Sequence, residues 1–365
     1  MGVKLQGLVV RNTLSFPELE GKIVAVDAPN IIMSLFSFAR KEGLTQTSEL
    51  ILDRTQRPIS HLYGILYRVN FFYSKKIFPI FCFDGKDSSM KKLKTKDRLN
   101  DFRFTERWYQ QALRSGNKTL ARNIALSKEY MWQNILKESK TLLNALGVPF
   151  IKSPASGESQ CAQLVKDHIA SFSNSQDFDS LLFGCPHLLQ NLSKSLKRKV
   201  HGRWTYQKIV PYNINLTETL QQLGINQFQL VDMALLLETD YFPGVASIGP
   251  KTALKLIKQH GTIETIMAKI NEKYDFSNLT EEIITKVRKI FLFPEVLTQF
   301  TEFSWTQPNE SRILILLCEE HHLNQERVQR NLQKLLGNFE KCSAYFNHNF
   351  GKPHNIQTTL DFLFG

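Results

Sequence analysis

The sequence predicts an α/β protein with a mostly parallel central sheet flanked by helices. Two observations carry this. Short apolar runs recur through the first half of the chain, and several of them end on an acidic residue. Between them lie segments with apolar residues at helical spacing. Strand then helix, repeated, is the pattern of parallel pairing, because a parallel strand needs a long crossover and a helix supplies it. In such sheets ligand chemistry gathers at the carboxyl ends of the strands, which is where these acids fall.

The elements follow in order. Residues 23–26 (IVAV) are β-branched and lead into Asp27, and residues 77–83 (IFPIFCF) lead into Asp84 and Gly85. Residues 148–151 precede Pro154 and Glu158, and a weaker run at 169–172 precedes Asp177 and Asp179. Helical periodicity spans 60–73, 127–146 and 159–169. The stretch 86–122 interrupts the alternation. It should be helical, and Lys91, Lys92, Lys94, Lys96, Arg98, Arg103, Arg107, Arg114 and Arg122 crowd it, with Phe102, Phe104, Trp108 and Tyr109 interleaved. Such a stretch is either a solvated helix face or an element that grips a nucleic-acid strand, cations on phosphates and rings on bases. From about Asn215 the chain reads helical, and a turn-rich segment, 240–250 (DYFPGVASIGP), opens a helix over 251–260. Residues 346–365 read as loop. There is no internal repeat and no low-complexity linker.

A chain of 365 residues can form one large domain or two medium ones. With 42% hydrophobic and 22% charged residues it is an ordinary globular composition, not a disordered one. The net charge of +12 fits a densely anionic partner, nucleic acid or a membrane surface. The membrane reading fails, since there is no apolar run of about 18 residues and no basic leader into an apolar core. Cys82, Cys161, Cys185, Cys318 and Cys342 are odd in number and irregular in spacing, which reads as reduced thiols in an intracellular compartment. His321 and His322 lack zinc-finger partners and read as surface histidines. No G-x-x-x-x-G-K-[ST] string exists, which disfavours a P-loop kinase or ATPase.

Taken singly, each acid could be a turn or cap residue. Jointly, Asp27, Asp84, Glu158, Asp177, Asp179 and Asp240 are harder to dismiss. Acids at the strand ends of one parallel sheet converge, and two unit charges 4 Å apart cost about 4 kcal/mol at an effective dielectric of 20. Either some protonate or a divalent cation neutralises them. Oxygen-only ligands favour Mg²⁺ or Mn²⁺ over zinc. Two such ions about 4 Å apart activate a water and stabilise the leaving oxygen of a phosphodiester. A basic protein with an acidic, metal-loaded cleft reads as a nuclease or phosphoryl-transfer enzyme.

With these residues in view, the chain resembles the flap endonucleases, the structure-specific 5′ nucleases related to the repair nuclease XPG. An N-terminal Met-Gly is followed by VAVDAPN around Asp27, SHLYGILYR at 60–68, FDGK at 83–86 and SGESQCA at 156–162. SQDFDSLLFG at 175–184 and TDYFPGVASIGPKTAL at 239–254 complete the set, and the wording is closer to the archaeal branch. The resemblance implies a PIN-like 5′ nuclease fold with a basic helical arch insert and a helix–two-turn–helix DNA-binding element. It implies a nuclease region over 1–100, an arch or cap over 86–128, and an internal nuclease region over 120–262 holding the helix–two-turn–helix at 239–262. A C-terminal helical region over 263–342 and a flexible tail over 343–365 follow.

The resemblance also implies roles. Asp27, Asp84, Glu158, Asp177, Asp179 and Asp240 match the family's metal-binding acids, for two Mg²⁺ or Mn²⁺ ions. Lys91 and Arg98 match its two catalytic cations, which would steady the charge developing on the scissile phosphate, and Gly2 would lie close by. Arg68, Lys92, Lys94 and Arg103 would hold DNA. Gly244, Gly249 and Lys251 would hold a duplex phosphate, with a monovalent cation bridging. Gln357, Leu360, Leu363 and Phe364 resemble the box by which such enzymes bind the sliding clamp, PCNA, although Leu363 stands where an aromatic is usual. The implied partners are 5′-flap, double-flap and nicked DNA and the clamp, with no membrane. The setting is intracellular: cytoplasm or nucleoid in an archaeon, nucleus in a eukaryote.

Three departures stand out. Ser156 replaces the first acid of the family's E-x-E-A-Q-C-A, Met33 replaces a tyrosine that stacks on DNA, and Glu238 replaces a glycine. The first expectation is therefore a flap endonuclease with 5′–3′ exonuclease activity, serving replication and repair. The second is a DNA- and clamp-binding paralogue with weakened or lost catalysis, motivated by Ser156. A Holliday-junction resolvase of the same superfamily is disfavoured by the arch length and the clamp box.

Overall fold

The computed structural model describes residues 3–38, 40–42, 48–85, 95–192, 196–200, 203–207, 210–300 and 302–350. The acid-ended runs are strands of one sheet. The first half of the chain runs β1 (Arg11–Thr13), α1 (Phe16–Leu19), β2 (Ile23–Asp27), α2 (Ala28–Phe38), β3 (Arg40–Glu42), β4 (Ser48–Leu50), α3 (Ser60–Ser74) and β5 (Phe78–Phe83). Next come α4 (Thr95–Arg114), α5 (Lys118–Ala125), α6 (Lys128–Ala145), β6 (Phe150–Lys152), α7 (Gly157–Lys166), β7 (Phe172–Asn174) and α8 (Asp179–Leu182). Then follow β8 (His187–Gln190), β9 (Leu196–Val200), β10 (Arg203–Gln207), β11 (Tyr212–Asn215), α9 (Leu216–Leu223), α10 (Gln227–Leu236) and α11 (Pro250–His260). The C-terminal part holds α12 (Ile263–Ile270), α13 (Glu281–Leu292), α14 (Glu310–Leu314), a π-helical turn (Ile315–Glu320) and α15 (Gln325–Phe350).

Seven strands form the main sheet in the order β1-β11-β8-β7-β2-β5-β6. The five from β8 to β6 are parallel, while β11 and β1 extend that edge antiparallel. The mostly parallel sheet is thus as expected, but the β8, β11 and β1 strands and the separate β9–β10 hairpin carry no clear signal in the sequence. They are short, and β1 (RNT) and β11 (YNIN) alternate too little for periodicity to mark them.

Central strands are buried on both faces, which explains their continuous apolar runs. Alternation then sorts their side chains. Ala25, Ile80 and Cys82 face one core with α7 and α10, while Val24, Val26, Phe81 and Phe83 face the other with α3 and α15. Two predicted boundaries shift. The helix expected over 159–169 starts at Gly157 because Ser156 caps it. It ends at Lys166, where the Ile169 and Ala170 amides fold back onto the Leu164 carbonyl and delay the next strand to Phe172.

The basic insert is helical where described. It breaks between α4 and α5 at Gly116, whose φ is 68°, and Asn117 caps α5 by accepting from the Leu120 amide. The stretch expected to be loop from residue 346 is helical as far as Phe350, where Phe346 is buried against Phe78 and extends α15. His321 is not a surface residue: it is 1% exposed, with Nδ1 3.3 Å from Asp53 Oδ2 and Nε2 3.5 Å from Glu138 Oε1. Two acids supply partners for its ring, which makes burial affordable; His322 stays at the surface. The five cysteines are free thiols, four of them buried. Among the described residues no helix is long and apolar enough to cross a membrane.

Candidate active site

Four adjacent strands, in the order β7-β2-β5-β6, deliver acids to one edge of the sheet. Asp27 is the last residue of β2, and Asp84 follows β5 directly. Glu158 sits in the first turn of α7, just after β6. Asp177 follows β7, and Asp179 opens α8. Asp240 comes from the turn after α10.

Two glycines make the approach possible. A Cβ on Gly85 would lie 1.8 Å from the Ser153 carbonyl oxygen, and one on Gly157 would lie 2.6 Å from that of Cys82. With no side chain in the way, the Gly85 amide donates to the Ala155 carbonyl at 2.7 Å, and the Gly157 amide donates to Asp84 Oδ1 at 2.8 Å. The Asp-Gly pair is therefore required by close backbone approach rather than by a hairpin turn.

The acids are tied together by polar residues outside the predicted set. The Ser175 hydroxyl lies 2.9 Å from Asp27 Oδ2 and 3.2 Å from Glu158 Oε1, and its oxygen accepts from the Asp177 amide at 3.2 Å. Asn30 donates its side-chain amide to Asp177 Oδ2 at 2.8 Å and its backbone amide to Asp27 Oδ1 at 3.4 Å. The Val3 amide donates to Asp179 Oδ1 at 2.6 Å, so the N-terminal segment reaches the cluster. The signal for Ser175 and Asn30 was present in the sequence, since each stands within three residues of a predicted acid.

Burial and repulsion from neighbouring acids raise three of the six, Asp27, Asp179 and Glu158, above the range of ordinary carboxylates. Asp27 is 3% exposed, and burial, then Asp84 and Asp177, push its pKa up to about 7 against the pull of Ser175 and Asn30. Asp179 is likewise pushed up to about 7, mainly by burial and then by Asp240 and Asp177, with the Val3 amide opposing. Glu158 is raised well above its usual range by burial and by Asp27, Asp179, Asp177 and Asp84. Charge repulsion thus links the six predicted acids into one group, Asp240 joining it through Asp179. Among the described residues no three acidic, histidine or cysteine side chains form a ready metal-ligand group; the carboxylates are turned onto Ser175, Asn30, Gly157 and Val3. Clustered, partly buried, oxygen-only donors with excess negative charge nonetheless fit a divalent cation.

Ser156 takes another part: its hydroxyl oxygen caps α7 by accepting from the Glu158 amide at 3.2 Å. Glu238 faces solvent and pairs with Lys4 Nζ at 3.3 Å. Met33 is 48% exposed on α2. Arg68 donates to the Leu192 carbonyl, and burial pushes its pKa down to about 10. It lines a cleft of about 1560 Å³ between α3 and α15 together with Tyr63, Tyr67, Arg327, Lys334 and Lys341. The cleft reaches Gln176, next to Asp177, but none of the six acids lines it.

Arg103 and Lys251 are exposed. Gly244 has φ 79°, and a Cβ there would meet the Leu237 carbonyl carbon at 2.5 Å. Gly249 caps α11, with Pro250 at its first position. Arg98 lies on α4, its side chain outside the described residues, as are Gly2, Lys91, Lys92, Lys94, Gln357, Leu360, Leu363 and Phe364.

Strand-end carboxylates on a mostly parallel sheet, in a basic chain, are the arrangement of a metal-dependent nuclease. Residues 1–103 match the XPG N-terminal domain and residues 147–240 match the XPG I-region. The chain is 36% identical over 337 residues to flap endonuclease 1 of Methanosarcina acetivorans, covering 92% of this chain and 96% of that one. It is 36% identical to flap endonuclease 1 of Aeropyrum pernix over 370 residues, covering 100% of both. The solved flap endonuclease-1 from Methanococcus jannaschii superposes with a TM-score of 0.69 at 25% identity, over 93% of this chain and 99% of that one. The chain belongs to the flap endonuclease family of XPG-type DNA nucleases.

Proposed function

We propose that this chain is a structure-specific 5′ flap endonuclease with 5′–3′ exonuclease activity, hydrolysing phosphodiesters at flap–duplex junctions in DNA replication and repair. One observation carries the reading: four adjacent strand ends bring carboxylates together in a chain of net charge +12. Asp27, Asp84, Glu158, Asp177, Asp179 and Asp240 would hold two divalent ions, Mg²⁺ or Mn²⁺. Bound there, the ions supply an activated water and charge compensation for the leaving oxygen.

The chain's own residues do the rest. Ser175 and Asn30 orient the acids, and the Val3 contact to Asp179 supports a place for Gly2 beside them. Lys91 and Arg98 stabilise charge on the scissile phosphate from the base of the arch, 86–128. Arg68, Lys92, Lys94 and Arg103 bind the branched DNA near the junction. Gly244, Gly249 and Lys251, in the helix–two-turn–helix at 239–262, hold the duplex backbone with a monovalent cation. Gln357, Leu360, Leu363 and Phe364, in the tail at 343–365, recruit the enzyme to the sliding clamp. Free thiols support an intracellular setting, the cytoplasm or nucleoid of an archaeon or the nucleus of a eukaryote.

The test is cleavage of a labelled double-flap DNA in Mg²⁺ beside an Asp179→Ala control. Cutting at the junction by the native chain, with binding but no cutting by the control, is expected. Equal, background-level cutting by both, with DNA binding retained, would establish instead the DNA- and clamp-binding paralogue that Ser156 motivates. Phe364→Ala should lower affinity for immobilised clamp; unchanged affinity would remove the clamp assignment alone.

A further inference from the structure

A second group of buried polar side chains, sharing no member with the six acids, gathers around His321. Asp53, in the connection between β4 and α3, uses its two oxygens differently. Oδ1 holds the connection's own turn, accepting from the Thr55 amide at 2.8 Å, the Thr55 hydroxyl at 2.7 Å and the Arg57 amide at 2.9 Å. Oδ2 lies 3.2 Å from Arg57 Nε and 3.3 Å from His321 Nδ1. Glu138 of α6 stands opposite, with Oε1 3.5 Å from both Arg57 Nη1 and His321 Nε2. Its Oε2 lies 3.0 Å from Nε2 of His61, on α3. Arg57 also donates to the Glu320 carbonyl at 3.0 Å, while Glu319, Glu320 and His322, beside His321 in the chain, are exposed.

The two buried histidines are not equivalent. His61 offers one nitrogen to Glu138, its Nδ1 is buried without a hydrogen-bond partner, and burial pushes its pKa down. It is a neutral ring that donates through Nε2. His321 offers each nitrogen to a different carboxylate. An ionised carboxylate only accepts, so a neutral ring can serve one of them and an imidazolium serves both. With that proton, Arg57 and His321 balance Asp53 and Glu138; without it, one carboxylate is left uncompensated in a buried place.

The group reaches the nuclease machinery through Thr55, whose carbonyl accepts from the Tyr109 hydroxyl of α4 at 2.6 Å. Tyr109 is 2% exposed and lies on α4 about three turns beyond Arg98. We infer that His321 is a positioning residue for the nuclease reaction, a proton-dependent latch that joins Asp53 to Glu138 and so fixes the Thr55 carbonyl that anchors α4. Protonated, it braces the connection against α6 and sets the helix. With one proton gone, Asp53 and Glu138 are no longer joined and α4 gains freedom about Tyr109. This rests on the reading of Arg98 as a catalytic cation and adds to it the residue that sets its helix.

The test has two arms. With chelator present, the nitrogen resonances of the His321 ring are followed between about pH 5 and pH 9. The imidazolium should give way to a neutral ring. Amide exchange along α4, corrected for its intrinsic pH dependence, should rise about tenfold with the same midpoint. That rise should be absent in H321Q and in Y109F alike, both of which keep the acid cluster. A ring that does not change protonation in this window, or α4 exchange that ignores it, would overturn the latch. In the second arm, single-turnover cleavage of a double flap in Mg²⁺ is compared across the variants. At the acid end the native chain should exceed H321Q about tenfold with little change in DNA affinity. The ratio should fall towards one through the midpoint seen in the ring. Y109F should match H321Q, and the double variant should be no worse than either. A ratio independent of pH, or losses that multiply, would leave His321 a merely structural role and overturn the proposal. Where H321Q fails to fold, Y109F decides in both arms. No cutting by the native chain would count against the nuclease reading and leave the first arm to judge the latch.

Discussion

Ser156 is the residue at which the site departs from its family's pattern, and its side chain is committed to capping α7. Loss of the cap alone, in Ser156→Ala, should cost about 1 kcal/mol in urea unfolding. Aspartate is as good a cap as serine and also restores a carboxylate beside Gly157 and Asp84. Ser156→Asp should therefore keep native stability in metal and cut flap DNA at a lower half-saturating Mg²⁺ concentration. An unchanged Mg²⁺ titration curve would place position 156 outside the reach of the metal cluster. The cap had a local signal that was legible, a serine close before a helix, although the expected start at Ser159 missed it. The burial of His321 was not. Its partners Asp53 and Glu138 lie far away in the chain, and nothing adjacent to it in sequence announces them.

At the scale of elements, one buried ion pair joins three of the C-terminal helices. Asp232 of α10 is fully buried and accepts from Arg288 of α13 at 2.7 Å and 2.8 Å. The same carboxylate accepts from the Ile263 amide at 3.0 Å, at the start of α12, while Arg288 also reaches Glu264 at 2.9 Å. Three helices thus meet on one charge pair. Arg288→Ala would leave the carboxylate buried and unpaired, and should lower unfolding stability by about 3–5 kcal/mol. A loss under 1 kcal/mol would mean that water replaces the guanidinium. The long helices α3 and α6 and the apolar strands β2 and β5 were readable from periodicity. Strands β8 and β11 were not, because each has only four residues and pairing with neighbours on both sides rather than side-chain pattern makes them strands.

Over the whole molecule, charge is divided: the chain is strongly basic while six of its acids are gathered about the strand ends of one sheet. That division has a sign in stability. Asp27 and Asp179 have pKa values raised to about 7 by burial, from an ordinary 3.8. Between about pH 4 and pH 7 the folded chain then binds more protons than the unfolded one, so their contribution to stability falls as pH rises. Asp27→Asn abolishes that titration at one position. With metal chelated, the melting temperature of the variant should match that of the native chain near pH 4, exceed it increasingly up to about pH 7 and keep a constant lead above that. Divalent cation should close the gap by stabilising the native cluster. A gap independent of pH would show that Asp27 does not titrate in this range. Asp53, whose pKa is lowered chiefly by its hydrogen bonds to His321 and Thr55 against the opposing effect of burial, acts in acid in the opposite sense, but it is common to both proteins and cancels.

What the sequence determined by itself was the set of strand-end acids, the long helices, the glycine-opened start of α11 and the family pattern that joins them. Those are local: each depends on residues within a few positions, and periodicity or turn chemistry reveals it. The tertiary structure alone decided which groups bind those acids together and how far their protons are held. Ser175 meets Asp27 across 148 positions of chain, and Val3 meets Asp179 across 176. It also decided which rings of the basic insert are buried and which stay open, since Trp108 and Tyr109 are neighbours in sequence and opposites in exposure. Desolvation and close approach are properties of residues brought together from far apart, and no window along the chain contains them.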